Sequence, residues 1–231
     1  MLLKEFKHGL LHLFYPRLCE GCNKPLLSGE HTLCIGCSVH LPKTEYHHIP
    51  DNDTAIRFAG RVPFIHATSF AYFTNDGLLQ HLLHGLKYKS KKESGIFLGK
   101  QFAYDLLQTD WIKTIDAIVP VPLHLKKEAS RGYNQCDLIA MGMSEMLHIP
   151  VAEKLLFRIR HTESQVNKTR SERVRNMQDA FEVKNATKLA NKNILLIDDV
   201  LTTGATLEAC AIALLSIPDI KISIATIGIA T

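Results

Sequence analysis

The segment ILLIDDVLTTGAT, residues 194–206, guides the interpretation of the whole chain. Its four leading apolar residues predict a strand that is buried on both faces, as in a parallel sheet. Two acids and a threonine-rich turn follow, and residues 207–214 then have the apolar pattern of a helix. An ordinary strand-to-helix connection is the simpler alternative. The combination of strand, polar turn and helix N-terminus nevertheless favours an anion site, because it presents backbone N–H groups and the positive end of a helix dipole.

Asp198 and Asp199 distinguish this segment from a simple phosphate-binding turn. Because carboxylates repel phosphate, we expect them to face sugar hydroxyls or a metal ion. Gly204 allows the backbone to approach a ligand closely. Further donors come from the hydroxyl groups of the turn, those of Thr202, Thr203 and Thr206. A phosphorylated sugar is the ligand that satisfies both the acids and the turn.

Four of the six cysteines form two Cys-x-x-Cys pairs near the N-terminus. They are Cys19, Cys22, Cys34 and Cys37. Two such pairs joined by a short loop can place four thiolates at the corners of a tetrahedron, which is typical of structural zinc. The alternative is two pairs of reduced or redox-active thiols. Four cysteine ligands leave no open coordination position, so we expect a zinc ion here to be structural.

The chain has 231 residues, of which 46% are hydrophobic and 22% are charged. This length suits one α/β domain with a small attachment. We expect residues 1–48 to form an N-terminal helix and the four-cysteine zinc module, and residues 49–231 to form the main domain. The net charge of +4 is compatible with phosphorylated ligands or nucleic acid and distinguishes neither.

We expect no transmembrane segment, because no apolar run reaches the roughly 18 residues that a membrane span needs. Charged residues interrupt the leucines of the N-terminus, which argues against a signal peptide. Cysteine pairs suit a reducing compartment, so we predict a cytoplasmic protein. Residues 2–14 predict an amphipathic helix with Lys4 and Lys7 on its polar face. This helix packs on its own domain or, alternatively, contacts a membrane surface or a partner.

A second strand-to-helix connection is predicted near the middle of the chain. Residues 115–121 predict a buried strand, and the polar loop after it places Arg131 and Gly132 at the start of the next helix. Since ligands of parallel α/β sheets bind outside the carboxyl ends of the strands, this loop and the acid pair should converge. Cys136, near the start of that helix, is interpreted as a small buried residue in preference to a nucleophile.

The remaining pattern predicts how the sheet is completed. Residues 67–73 and 220–229 predict strands, and residues 151–159 predict a strand near a sheet edge. Residues 42–56 predict an irregular connection, because prolines and turn-forming residues cluster there. Helical stretches between the strands favour an α/β fold with a parallel sheet.

Basic residues concentrate in two segments. A helix with Asn75 as its cap is predicted to end at residues 87–89, where a lysine cluster at residues 87–92 begins. Residues 158–175 carry six basic and two acidic side chains and lack apolar periodicity. We predict that this second segment is a mobile flap that closes over a polyanionic substrate. A solvated loop is the alternative for both segments.

The ordered set of motifs resembles the ComF family of competence-associated proteins, which combine a zinc-binding N-terminus with a type I phosphoribosyltransferase domain. The resemblance covers nearly the whole chain. It rests on the four cysteines, Leu86-Lys87-Tyr88, Val119–Leu123, Arg131–Gln135, Gln165, Arg173, Asn176, Ala180-Phe181 and Asp198-Asp199 through Thr206. It implies a Rossmann-like parallel sheet in a phosphoribosyltransferase-like domain over residues 49–231.

The resemblance also implies a substrate, phosphoribosyl pyrophosphate (PRPP), bound together with Mg²⁺. The turn would hold the 5′-phosphate, and the acid pair would hold the ribose hydroxyls directly or through Mg²⁺, which takes few protein ligands. The residues implied in PRPP binding are Lys87, Arg131, Gly132, Arg160, Asp198, Asp199, Leu201, Thr202, Thr203, Gly204, Ala205 and Thr206. The catalytic residues among them would be Lys87, Arg131, Asp198 and Asp199.

Two functions from different classes follow from these observations. The first is a Mg²⁺- and PRPP-dependent phosphoribosyltransferase of unidentified acceptor, which acts mainly by positioning and by stabilising the leaving group. The second is a non-catalytic factor that handles single-stranded DNA in natural transformation, alone or with DNA-uptake proteins. Only 7% of the residues are aromatic, which weakens a base-stacking platform and favours the first function.

Overall fold

The strand that carries the acid pair runs through the interior of a four-stranded parallel sheet. A computed structural model describes residues 16–159 and 180–231. The predicted helix at residues 2–14 lies outside these ranges. The same is true of most of the predicted basic flap, with Arg160, Gln165, Arg173 and Asn176.

The strands of the described chain are β1 (Ala67–Phe73), β2 (Ala117–Pro120), β3 (Leu156–Arg158), β4 (Phe181–Val183), β5 (Asn193–Leu201) and β6 (Lys221–Ala230). The α-helices are α1 (Ile35–Val39), α2 (Asp53–Phe58), α3 (Leu78–Tyr88), α4 (Lys92–Leu106), α5 (Leu125–Arg131), α6 (Gln135–Leu147) and α7 (Ala205–Leu214). Short 3₁₀ helices span Tyr46–His48, Trp111–Thr114 and Ala186–Leu189.

The main sheet has the strand order β1-β6-β5-β2, and every neighbouring pair is parallel. Residues 194–197 of β5 are fully buried, because helices cover both faces of the sheet. Helices α3, α4 and α6 pack on one face, and α2 and α7 pack on the other. The predicted α/β fold with a parallel sheet is therefore confirmed.

Two predicted elements differ from the structure. The strand predicted at residues 151–159 is present only as the short β3, which pairs with β4 in a separate antiparallel sheet, and Val151 forms one isolated bridge with Ile118. Of the apolar residues in this stretch, Leu155 and Leu156 are buried. The irregular connection predicted at 42–56 contains the start of α2, where the Asn52 side chain accepts hydrogen bonds from the first helical N–H groups.

Two helix boundaries also differ from the prediction. Helix α3 has Gly77 as its N-cap in place of Asn75. Arg131 ends the short helix α5, Gly132 follows in the left-handed conformation, and Asn134 caps α6. Arg131 and Gly132 are thus at the end of one helix and not at the start of the next.

The cysteine-containing segment packs against α3 and α4. Cys19, Leu33 and Leu41 are buried in the core layer that these helices form. Glu20 accepts a hydrogen bond from the Ser94 hydroxyl at 2.5 Å, and its carboxylate lies 3.7 Å from the Lys91 ammonium. A domain boundary between residues 48 and 49 stays a prediction.

Within the described ranges, none of the helices combines the length and apolar character that crossing a bilayer requires.

Candidate functional site

The turn between β5 and α7 has the geometry of an anion site. Gly204 has a φ of +78°, a conformation that costs most other residues about 1–2 kcal/mol, and helix α7 begins directly after it. The first N–H groups of a helix have no acceptor within the helix, so they are free to bind a ligand. Thr202 and Thr203 are exposed, and Ala205 and Thr206 are partly exposed. The turn therefore presents these residues to solvent, and the Ala205 N–H donates to Thr203 Oγ1 at 3.4 Å.

Two arginines from α2 and the residues after it fix the carbonyl side of this turn. The Arg57 guanidinium donates to Thr202 O at 2.6 Å and to Ala230 O at 2.5 Å. Arg61 donates to Thr203 O at 2.8 Å and forms an ion pair with Glu208 of α7. Sequence reasoning misses both arginines, because they lie just beyond residues 42–56, which predict an irregular connection.

The two acids point in opposite directions, because successive residues of a strand face opposite sides of the sheet. Asp199 is buried, and its Oδ2 lies 2.6 Å from the Lys87 ammonium at the end of α3. Asp198 Oδ1 accepts the Asp199 N–H at 2.8 Å and lies 3.4 Å from the Cys136 thiol on α6. The acid pair thus contacts the end of α3 and the start of α6.

Burial controls the protonation of these groups. Burial raises the pKa of Asp198 to about 7, and the neighbouring Asp199 carboxylate acts in the same direction. Burial also raises the pKa of Cys136 well above 9.0, so the thiol keeps its proton and can donate it to Asp198. Burial alone would lower the pKa of Lys87, but the Asp199 carboxylate outweighs it and the pKa rises. Lys87 is therefore a cation at neutral pH.

Lys87 also lines a cavity of about 330 Å³ beside the acid pair. The residues around the cavity are Lys87, Tyr88, Ser90, Lys127, Ser130 and Arg131. The Arg131 guanidinium stacks on the Tyr88 ring at 5.7 Å and donates to Gln135. The Tyr133 hydroxyl donates to Leu86 O, which joins the Arg131 turn to the end of α3. Three basic side chains thus surround one opening, as a pyrophosphate would require.

The structure brings most of the predicted site residues together. Residues 198–206 form the end of β5, the turn and the first residues of α7, and Leu201 among them is buried. Lys87 contacts the acid pair and shares the basic cavity with Arg131, next to the exposed Gly132. Arg160 lies outside the described residues.

The four cysteines form a second candidate site. Their sulfur atoms all lie within 4.8 Å of one another, and Cys22 Sγ is 3.8 Å from Cys34 Sγ. A tetrahedral zinc ion with Zn–S bonds of about 2.3 Å requires sulfur atoms about 3.8 Å apart. Backbone N–H groups donate to Cys19 Sγ and Cys34 Sγ, which would stabilise thiolates. The cluster could therefore hold a zinc ion.

Fold and site together define a class: a parallel α/β protein with an acid pair before a turn that has the geometry of an anion site, joined to a four-cysteine module. No family model matches the chain. The chain is 28% identical to Competence protein F of Haemophilus influenzae, over 87% of this chain and 85% of that protein. It is also 28% identical to the DNA utilization protein YhgH of Escherichia coli, over 88% of this chain and 92% of that protein.

A third relative is Competence protein ComFC of Bacillus subtilis, with 26% identity over 82% of this chain and 80% of that protein. Similarity to such proteins over most of the chain bears out the resemblance in the motifs. These relatives support the ComF family for this chain, and their names support a role in competence.

Proposed function

We propose that this protein binds PRPP together with Mg²⁺ and is a phosphoribosyltransferase-like protein of the ComF type. One observation carries the proposal: the acid pair and anion-binding turn of β5–α7 are joined to a basic cavity through the Lys87–Asp199 ion pair of 2.6 Å. PRPP has a 5′-phosphate, two ribose hydroxyls and a pyrophosphate. Each of these groups has a chemically matched partner in this arrangement.

The turn from Thr202 to Thr206 is assigned to the 5′-phosphate, with its carbonyl side held by Arg57 and Arg61. The acid pair is assigned to the ribose hydroxyls. Carboxylate oxygens also suit Mg²⁺, which prefers oxygen ligands and keeps several waters. When bound, Mg²⁺ would neutralise part of the pyrophosphate charge. Gly204 leaves the backbone free to approach the phosphate closely.

Lys87 and Arg131 are assigned to the pyrophosphate, with Lys127 on the same cavity wall. Departure of pyrophosphate from the sugar leaves negative charge on the leaving group, and protonated Lys87 stabilises that charge. Loss of one such charged contact typically lowers the rate on the order of 10²–10³-fold. The proposal does not assign the acceptor substrate that attacks the sugar.

We assign a structural zinc ion to the four cysteines and, from the same reduced thiols, a cytoplasmic location. Elemental analysis of freshly purified protein tests the zinc assignment. One zinc ion per chain is expected, and a Cys22→Ser/Cys34→Ser variant should lose it. Protein that is folded but free of zinc would contradict the assignment.

The proposal is tested by calorimetric titration with PRPP and Mg²⁺. Wild type should bind, and Asp198→Asn/Asp199→Asn should lose at least about tenfold in affinity while keeping its fold by circular dichroism. Asp110→Asn replaces an exposed acid outside the site and serves as the matched control. Separate titrations with ribose 5-phosphate and with pyrophosphate test the two halves of the proposed PRPP site. A folded wild type that binds none of the three ligands refutes the proposal.

A second candidate function is single-stranded DNA handling without catalysis. The relatives named DNA utilization protein favour it, and so do the lysines at residues 87–92. The affinity for single-stranded DNA should then fall steeply with salt, because lysines and arginines release counterions when they contact phosphates. Binding that does not depend on salt, or no binding at all, would contradict this function. PRPP binding without DNA binding would favour the enzyme.

A further inference from the structure

A separate group of possible metal ligands lies on the edge of the sheet, away from both sites described above. Glu45, His47 and His48 place one ligand atom each within 4.8 Å of one another. The two histidines belong to the 3₁₀ helix Tyr46–His48, which packs against β1. β1 is an edge strand, whereas the acid pair is on β5, two strands away.

His47 is the unusual member of this group. Its side chain is only 4% exposed. Among the residues that the structure describes, its Nε2 atom is buried without a hydrogen-bond partner. The nearest acidic oxygen, Glu45 Oε2, is 3.7 Å from Nε2, which is too long for a hydrogen bond. A buried polar atom without a partner is costly, so its presence calls for an explanation.

The separation of the two atoms suits a bridging metal ion. Typical zinc bonds to histidine nitrogen and carboxylate oxygen are about 2.1 Å. For an ion at that distance from both atoms, the N–metal–O angle would be about 124°. That angle is close to the angles of tetrahedral and trigonal coordination. His48 is exposed and its ring centroid lies 4.1 Å from that of His47, so a third ligand is available on the solvent side.

The surroundings leave room for further ligands. His47 and His48 line a cavity of about 280 Å³, together with His66, Thr68 and Trp111. Thr68 Oγ1 is also buried without a hydrogen-bond partner in the described chain. The nearby Lys43 is paired with Asp105 at 2.7 Å, so its charge is balanced and the Glu45 carboxylate favours a cation.

We propose that Glu45, His47 and His48 form a binding site for a divalent first-row transition-metal ion, with an open position toward this cavity. Two imidazoles and a carboxylate are ligands that such ions take, whereas Mg²⁺ and Ca²⁺ prefer oxygen alone. The site is independent of the PRPP proposal and of the four cysteines, since it shares no residue with either.

The chain contains its own reporter for this site. Trp111 is the only tryptophan of the sequence, and its indole Nε1 donates to His47 O at 3.5 Å. Untagged full-length protein, zinc-loaded and dialysed, is titrated with Ni²⁺ while the Trp111 fluorescence is recorded. Saturable quenching with one equivalent of Ni²⁺ is expected.

The variants replace the two exposed ligands, Glu45 and His48, and leave the buried His47 unchanged so that the hydrophobic core is preserved. Glu45→Gln and His48→Gln should each weaken the Ni²⁺ affinity at least about tenfold. His84→Gln, at an exposed histidine of α3, is the matched control and should leave the affinity unchanged. Absence of saturable quenching in the wild type overturns the proposal. The proposal is also overturned if wild type, Glu45→Gln and His48→Gln bind Ni²⁺ with the same affinity. It is overturned as well if His84→Gln weakens the Ni²⁺ affinity as much as Glu45→Gln and His48→Gln do.

Discussion

Replacing Lys87 by methionine should destabilise the folded protein, quite apart from any effect on ligand binding. The substitution keeps a similar side-chain volume but removes the cation that faces Asp199 at 2.6 Å. Asp199 has a side chain that is only 9% exposed, so it cannot recover its full hydration after the lysine is lost. The cost of the substitution is therefore the cost of leaving one buried carboxylate without a counter-charge.

The magnitude follows from the distance and the exposure. At 2.6 Å the gross attraction is about 6 kcal/mol with an effective dielectric constant near 20, and the desolvation of both groups opposes it. Removing one partner of a fully buried pair costs roughly 3–5 kcal/mol. The Lys87 side chain is 25% exposed, so solvent screens part of the interaction. We expect a loss of about 2–3 kcal/mol in the free energy of unfolding.

Urea denaturation of a double-mutant cycle measures this value. Lys87→Met should cost about 2–3 kcal/mol in the wild type but less than about 1 kcal/mol in an Asp199→Asn background, because no buried charge is then left behind. Lys89→Met, at a neighbouring exposed lysine, should change the stability by less than about 0.5 kcal/mol. Equal costs of Lys87→Met in both backgrounds, with unchanged m-values, would refute the reasoning.

Three further perturbations test other parts of the structure. Gly204→Ala should cost about 1–2 kcal/mol in urea denaturation and weaken phosphate binding, because its φ is +78° and the new Cβ would meet Phe58 at 3.1 Å; unchanged stability would contradict this. Burial raises the pKa of Asp137 to about 6 from its ordinary 3.8, so the stability that this proton gives is lost as the pH rises through 6. The free energy of unfolding of Asp137→Asn, relative to that of wild type, should therefore rise by on the order of 2 kcal/mol between pH 4 and pH 7. A difference between the two proteins that does not depend on pH would contradict this. Chelation of zinc should lower the melting temperature of wild type, whereas a Cys22→Ser/Cys34→Ser variant should not respond.

The elements with strong local patterns could be predicted from the sequence. β1 spans Ala67–Phe73 as predicted, and β5 and β6 fall within a few residues of their predicted bounds. In β5 the apolar run is long enough to identify a strand buried on both faces. Helix α7 begins at Ala205, before the apolar pattern does, because Gly204 provides the left-handed N-cap. Propensity and periodicity decide these elements, and both can be read locally.

Short elements and long-range contacts could not be predicted in this way. Helix α2 has six residues, too few for the spacing of apolar residues to identify it, although Asn52 before Asp53 is a capping signal. Without that helix, nothing in the sequence indicates that Arg57 reaches the turn between β5 and α7. The contact between Cys136 and Asp198 spans 62 residues of sequence and depends on how α6 packs against β5. Such pairings follow from tertiary packing alone.

The position of the four-cysteine module suggests how it supports the proposed PRPP site, although none of the four cysteines belongs to that site. Gly21 of the module lies against Leu78 at the start of α3, and Glu20 contacts Lys91 and Ser94 just beyond the end of that helix. The module therefore contacts the start of α3 and the residues just beyond its end, and the last turn of α3 carries Lys87. Because Lys87 must face both Asp199 and the basic cavity, a small displacement of α3 would separate the two halves of the proposed PRPP site. A zinc ion bound to the four cysteines would hold the module in this position, which would give the module a structural role beside the sheet.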